Sequence, residues 1–319
     1  SSDLRDWRPN SCENVRGSGE DLRTTFCPHL APGPRANGRQ VRTVSAWGEQ
    51  RQAELARLRV GVVGAGSTGG FIGEGLARTG VQYVRVFDFD EVNELNLDRL
   101  CYALPSDVGK PKVSVLAQRM RSIATAERFH VEEVQHAVYD PEAYRLALDC
   151  DVLFSCVDRP WGRHVLNHIA YGHLIPVVDG GILVRTNRSR QLVGADWTAQ
   201  IVGPGRACLK CLGQYNTAYV QMEREGRLDD PQYIEDLPED HPLKARQNVF
   251  GFSMACASLQ LLQMLNLIVA PLGLADSGVQ RYHFVDSIME PKKSCACNSG
   301  CVMPSLVALG DKSPYKVQK

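Results

Sequence analysis

Residues 58–80 read LRVGVVGAGSTGGFIGEGLARTG, and the six at the centre, GAGSTG at 64–69, decide the fold. RVGVVG is an apolar run of strand length. STGGFIGEGLART is helical and stops at Gly80. Between them Gly64, Gly66 and Gly69 fit G-x-G-x-x-G. In such a turn the first glycine permits the bend, the second lets phosphates approach the backbone, and the third lets helix and strand pack closely. The helix N-terminus then faces negative charge. Asp88 closes the next apolar run, YVRVFDFD, where a carboxylate can accept hydrogen bonds from a ribose. On these residues alone a nicotinamide or flavin dinucleotide fits best.

Outward from this unit the pattern repeats. KVSVLAQRMRSI reads as a helix, FHVEEVQHAV as a strand, and PEAYRLALD as a helix. DVLFSCVD is a buried strand, GRHVLNHIAYGH a helix, and IPVVDGGI a further strand. Strands alternating with helices imply a doubly wound, mostly parallel sheet. Upstream, WGEQRQAELARL at 47–58 reads as a helix. Residues 1–40 show no apolar period and read as an irregular arm; its Cys12, Cys27 and His29 are ordinary residues there, although they can join a metal site. After Gly181 the pattern changes. RQLVGADWTAQIVG reads as antiparallel strands, a polar stretch runs to residue 247, and 249–270 is a long apolar helix. RYHFVDSIMEPKKSCACNSGC reads as a strand and a cysteine-rich knuckle.

Composition bounds the function. The chain has 319 residues, and Lys+Arg and Asp+Glu balance at 36 each, which argues against non-specific nucleic-acid binding. The longest apolar run carries Gln and Asn and ends at Pro271, so no membrane span is expected. No secretion signal is evident, and eleven cysteines with several at short spacing fit a reducing cytoplasm better than a disulfide framework.

The residues after Asp88 shift the reading toward ATP. NLDR sets Asn96 and Arg99 three apart, and GKPKV brings Lys110 and Lys112. Arg bonds phosphate oxygens bidentately and Lys supplies a point charge, which suits a site that polarises a triphosphate. As solvated helix-end charges they would have no such role. Asp158 ends the strand DVLFSCVD, at the same sheet edge as Gly66 and Asp88. It can hold Mg2+, or it can cap the helix that starts near Pro160.

Cys208 and Cys211 form a C-x2-C knuckle, and Cys295, Cys297 and Cys301 lie far downstream. Two such clusters can close a structural zinc site of four cysteine thiolates. Cys297 and Cys301 are the expected second pair, because their spacing lets the chain wrap the metal, with Cys295 in reserve. A redox thiol pair is the alternative.

The ordered set R-x5-GEQRQAEL, GAGSTG, DFD, NLDR, GKPKV, SCVD-x4-R-x3-N, VVDGG and PG-x2-C-x2-C resembles the ubiquitin-activating-enzyme superfamily, in particular its small ThiF/MoeB-type adenylyltransferases. The resemblance runs from about Arg42 to Cys301. It implies ATP, Mg2+ and Zn2+ as cofactors. It implies adenylation of the C-terminal carboxylate of a ubiquitin-like or sulfur-carrier protein, with release of pyrophosphate. By resemblance, Gly64, Gly66, Ser67 and Gly69 lie against the ATP phosphates, Asp88 holds the ribose, and Asn96, Arg99 and Lys112 contact phosphates. Asp158 binds Mg2+. Arg42 matches an arginine that reaches across a homodimer into the partner's site, and Arg163 and Asn167 match positions near the nucleotide. Arg159 stands where relatives commonly have Asn.

The expected fold is α/β: a doubly wound, Rossmann-like, mostly parallel sheet with a C-terminal antiparallel extension and a zinc knuckle. The expected domains are an arm over 1–40, an adenylation domain over 41–310, and a tail over 311–319. The adenylation domain divides into a nucleotide-binding half over 41–182 and a carrier-binding half over 183–310. Many relatives carry a nucleophilic cysteine after the first knuckle, but residues 212–248 contain none. Cys256 reads as core, and Cys101 and Cys156 as buried. Three alternatives follow. The enzyme stops at the adenylate and hands it to a conjugating or sulfur-transfer protein, or an unusual cysteine acts, or the natural one was replaced. Two other readings keep the fold: adenylation of a short peptide in natural-product modification, and a non-catalytic scaffold for a ubiquitin-like protein.

Overall fold

The computed structural model describes residues 14–18, 22–26, 33–229, 247–269, 278–293, 295–312 and 315. Cys12, Cys27 and His29 lie outside the described residues, as do 230–246 of the polar stretch and most of the tail. The arm carries more order than its sequence suggests. Strands β1 (Asn14–Ser18) and β2 (Leu22–Phe26) pair antiparallel as a separate two-stranded sheet.

The main body follows the alternation. In order come α1 (Val41–Ala56), β3 (Arg59–Val63), α2 (Ser67–Thr79), β4 (Tyr83–Phe87) and α3 (Lys112–Ile123). Then follow β5 (His130–Val134), α4 (Pro141–Leu148), β6 (Val152–Ser155), α5 (Pro160–Gly172) and β7 (Val177–Thr186). The C-terminal part adds β8 (Leu192–Val202), α6 (Thr217–Arg224), α7 (Phe250–Val269), β9 (Val279–His283) and β10 (Ile288–Lys292). The helix expected at 47–58 starts earlier, at Val41, because a break at Gly48 (φ 86°) joins two helical pieces. The single strand expected after residue 280 is instead a hairpin, β9–β10.

One eight-stranded sheet has the order β10-β9-β8-β7-β6-β3-β4-β5. The five strands from β7 to β5 are parallel, and β8, β9 and β10 add antiparallel. β7 crosses residue 182, so the sheet runs unbroken through the boundary expected there. Period-two burial splits the core between the faces. Val60, Val62, Val84 and Val86 pack with Ile72, Leu76, Leu116 and Met264 on one side. Val63, Phe87 and Leu153 pack with Val165, Leu166 and Ile169 on the other. Each such side chain, fully buried, contributes about 2 kcal/mol.

α7 is long and apolar enough to cross a membrane by length and composition. It is a core helix here. Gln260 is fully buried, and its side-chain Nε2 donates to the carbonyls of Ser155 and Val178, each at 3.2 Å. Gln263 donates to the Gly278 carbonyl at 3.0 Å. Burying an amide costs free energy unless it is bonded, and these bonds pin the helix to the sheet.

The antiparallel edge carries a titratable clasp. His283 on β9 has Nδ1 2.8 Å from Asp196 on β8 and Nε2 3.3 Å from Glu290 on β10. The hydrogen bonds to Glu290 and then Asp196 raise its pKa above 6.5. A raised folded pKa means the clasp's stabilisation is full below the unfolded histidine value of about 6.5 and fades as pH rises through the folded value. An NMR titration is expected to place His283 above an unperturbed histidine, with Glu290→Gln moving it down. An unshifted wild-type His283 would remove the clasp.

Candidate active site

In sequence order β3 is the first parallel strand, yet it lies between β4 and β6. The winding therefore reverses at the β3–β6 gap. In open α/β sheets ligands bind outside the carboxyl ends of the strands at such a point. GAGSTG begins there, directly after Val63.

Two of its glycines are required by geometry. Gly64 has φ 97°, and a Cβ there would come within 2.6 Å of the Cys156 carbonyl oxygen, just past β6. A Cβ on Gly69 would collide with the Gly64 carbonyl oxygen. Gly66 is the N-cap of α2, and no described atom lies within 4 Å of where its Cβ would be. The turn is tied from below. The Asp88 carboxylate accepts from the Ala65 amide at 2.6 Å and the Asp90 amide at 2.8 Å. Tyr102, which the motif reading missed, donates its buried hydroxyl to the Ala65 carbonyl. Burial pushes the Asp88 pKa up, and the Lys112 charge and the two amides oppose this. Asp88 thus orders the turn from the end of β4.

Lys112 opens α3 with its side chain only 11% exposed, and Nζ contacts Asp90 at 2.7 Å. Its backbone amide donates to the Asp90 carbonyl at 2.9 Å. The ammonium is therefore held on Asp90, a carboxylate that the sequence motifs do not single out. Arg99 is one-third exposed, and its Nη1 donates to the Leu95 carbonyl at 2.6 Å and contacts Asp98 at 3.0 Å. Asn96 completes a short helical turn by accepting the Asn93 amide at 3.2 Å.

Asp158 is exposed, and no described residue bonds its carboxylate. Asp158 does not cap α5, contrary to the capping reading, because the N-cap is Arg159, with no side-chain cap bond. The orphan amide of Trp161 is satisfied from far away, by Glu223 at 2.8 Å. Glu223 is 5% exposed and lies on α6. Among the described residues Asp158 is left without a partner, a hard oxygen donor that suits Mg2+.

Arg163 and Asn167 are both engaged by groups of the protein itself. Arg163 donates to the carbonyls of Gln214 (2.8 Å) and Gly180 (2.9 Å) and lies 3.5 Å from Asp179. Asn167 is fully buried and accepts the Leu209 amide at 2.9 Å, inside the cysteine knuckle. Arg42 sits on the exposed first turn of α1. Nearby Gln40 packs at Gly80, the far end of α2. The 13 residues of α2 put the phosphate turn about 20 Å away at 1.5 Å per residue. Within one chain Arg42 does not join the gathering.

The structure brings Cys208, Cys211, Cys297 and Cys301 together, their sulfurs all within 4.8 Å of one another. Cys295 is exposed and outside the cluster. Cys208 and Cys301 have sulfurs 3.7 Å apart. A disulfide needs about 2.05 Å, whereas four thiolates about 2.3 Å from one zinc ion sit about 3.8 Å apart. Backbone amides of Cys208, Cys211 and Asn298 donate to the sulfurs of Cys297, Cys208 and Cys211 at 3.3–3.4 Å. Those bonds favour thiolate, so the donor set fits a closed structural zinc.

Other groups nearby are quiet. Burial pushes the Cys101 thiol up to about 11 and Cys256 to about 12, the wrong direction for a nucleophile. Burial, then His168, pulls His164 down to about 4, so it is neutral at pH 7. A cavity of about 180 Å³ at the opposite strand edge is lined by Arg59, Arg85, Glu132 and Asp149. Its charges neutralise one another, Arg59 meeting Asp149 at 2.7 Å and Arg85 meeting Glu132 at 2.6 Å.

Comparison with known proteins agrees with this architecture. A family model described as ThiF family matches residues 37–299. The tRNA threonylcarbamoyladenosine dehydratase of Escherichia coli is 37% identical over 139 residues, 44% of this chain and 52% of that protein. The SAMP-activating enzyme E1 of Haloferax volcanii is 30% identical over 165 residues, 52% of this chain and 57% of that protein. The chain thus spans about half the length of these curated relatives. Among solved structures, E. coli MccB with ATP superposes with TM-score 0.62 at 17% identity, covering 85% of this chain and 76% of that one. At that identity the likeness speaks for the fold alone.

Proposed function

The chain belongs to the ThiF family, and from that premise we propose that it uses ATP to adenylate the C-terminal carboxylate of a ubiquitin-like or sulfur-carrier protein. The observation that carries this reading is the company GAGSTG keeps at the β3–β6 gap. Lys112 held by Asp90, Arg99 beyond the same strand, and exposed Asp158 are more than a passive dinucleotide site requires.

In the proposed reaction a carboxylate oxygen attacks the α-phosphorus of ATP. The bond from that phosphorus to the bridging oxygen breaks, and pyrophosphate leaves with the electron pair. An acyl-adenylate remains. Almost no proton needs moving, so the chain's work is positioning and charge stabilisation. The α2 amides and Ser67 face the phosphates, Lys112 and Arg99 meet charge building on the leaving oxygens, and Asp88 orients the ribose. Asp158 would hold Mg2+, which supplies further charge neutralisation.

The quiet thiols support a reaction that ends at the adenylate within this chain. In this reading residues 41–182 serve the nucleotide and 183–310 the carrier. The distance of Arg42 from its own turn supports a homodimer in which it serves the partner's site.

A second reading keeps the activation and changes the substrate. It is favoured by the 37% identity to a tRNA threonylcarbamoyladenosine dehydratase. A threonylcarbamoyl group also presents a carboxylate, and adenylating it would prepare loss of water. The balanced charge of 36 against 36 leaves the carrier reading ahead, because tRNA binding draws on basic surface.

ATP–pyrophosphate exchange separates the readings. Exchange is expected with a carrier ending in glycine, and not with short peptides or modified tRNA. Exchange with the peptide or tRNA alone would move the substrate assignment. Carrier binding with no exchange would make the chain a scaffold, and no exchange with tight NAD binding would sink the ATP reading.

A further inference from the structure

We propose that Asn248 is a positioning residue for phosphate binding, aiming the hydroxyl proton of Ser67 at the nucleotide. The inference rests on the ATP reading above and deepens it. Ser67 is the first residue of α2 and 7% exposed. Its hydroxyl does not cap the helix, since the cap position is Gly66 and carries no side-chain bond. Instead Oγ accepts from Asn248 Nδ2 at 3.3 Å, across 181 residues of sequence. Asn248 Oδ1 in turn accepts from Ser253 Oγ at 2.8 Å, and Ser253 is fully buried.

In this arrangement Oδ1 faces the Ser253 hydroxyl at 2.8 Å, a usual O–H···O length, and Nδ2 faces Ser67 at 3.3 Å. A hydroxyl has one proton and two lone pairs. With a lone pair taken by Asn248, and no acceptor for its proton among the described residues, Ser67 is set as a donor beside the phosphate turn. The mount is rigid. The Phe250 ring at the start of α7 meets Phe71 on α2 edge-on at 4.9 Å, which packs the N-terminal parts of the two helices together. Ser253, Asn248 and Ser67 form a relay in which each member orients the next. Its terminal bond, made to an anion, is of the charge-assisted kind.

The test is a double-mutant cycle on the full chain. ATP·Mg binding is measured by calorimetry and the KM for ATP by exchange. Ser67→Gly is expected to weaken ATP about tenfold, the scale of one charge-assisted hydrogen bond. Asn248→Ala is expected to weaken it about fivefold, with kcat changed far less than KM. Combined with Ser67→Gly, Asn248→Ala should have no further effect, because there is no hydroxyl left to aim. Ser253→Ala, a small change away from the turn, should weaken ATP in the native background and be silent when Ser67→Gly is already present. Equal effects of Asn248→Ala in both backgrounds, or none in the native one, would overturn the relay while leaving the ATP reading intact. A wild-type chain that binds no ATP would overturn that reading itself.

Discussion

In Asp158→Ala, carrier-dependent ATP–pyrophosphate exchange falls by about a thousandfold while the protein keeps its fold. The size follows from what is lost. Removing one preorganised electrostatic partner of a developing oxyanion costs about 10²–10³ in rate, and a carboxylate that recruits a divalent cation stands at or above the top of that range. The unchanged fold follows from what Asp158 does not do. Its side chain is exposed, it pairs with no described residue, and the α5 cap lies at Arg159. Surface substitutions of that kind move stability by about 0.5 kcal/mol at most. Exchange rates and melting curves on the same preparation check both halves. Exchange at the wild-type rate would take Asp158 out of the metal role.

The second large effect is on stability. Cys208→Ser is expected to release bound zinc and to cost at least about 4 kcal/mol, since structural zinc adds its binding free energy to folding. Metal analysis and denaturant melts read it out, and Cys295→Ser, outside the cluster, is the silent control. Burial pushes the metal-free Cys208 thiol up to about 12. Zinc must therefore displace protons to bind, and retention weakens as pH falls. The damage should travel. Asn167 fastens the knuckle to α5 through Leu209, and the Tyr171 hydroxyl lies 3.6 Å from the Cys297 sulfur. α5 begins two residues after Asp158. Zinc found in Cys208→Ser at the wild-type ratio, or none in the native chain, would refute the metal assignment.

What could be read from sequence was what is local. The glycine turn, the strand–helix alternation and the C-x2-C spacing each sit within one or two elements. The bounds of α3 at Lys112–Ile123 follow from a period seen in twelve residues. The misses are contacts between distant positions. Asn248 meets Ser67, Glu223 caps Trp161, and Asp90 clamps Lys112. No periodicity marks a polar residue as the partner of one so far away, and Asn248 lies outside every motif. Arg163 and Asn167 illustrate the converse. Their motif spacing located them on α5, but the rotation of that helix decides which backbone groups they bond, and packing sets the rotation. Proline at N1 masked the true cap of α5, because D-R-P invites reading the aspartate as the capping residue.

The knuckle also has a consequence for biogenesis. It joins Cys208 to Cys301, so the site cannot close until residue 301 has left the ribosome. The parallel strands from β3 to β7 are complete by residue 186 and need nothing from beyond it to pair with one another. Chains emerge at roughly 5–20 residues per second, so the gap between Cys211 and Cys301 amounts to several seconds. Through that interval α7 is still being made, and the sheet face it will cover stays open. In that window the apolar sheet face is exposed, and the four-cysteine site can take up a metal only once Cys301 has emerged.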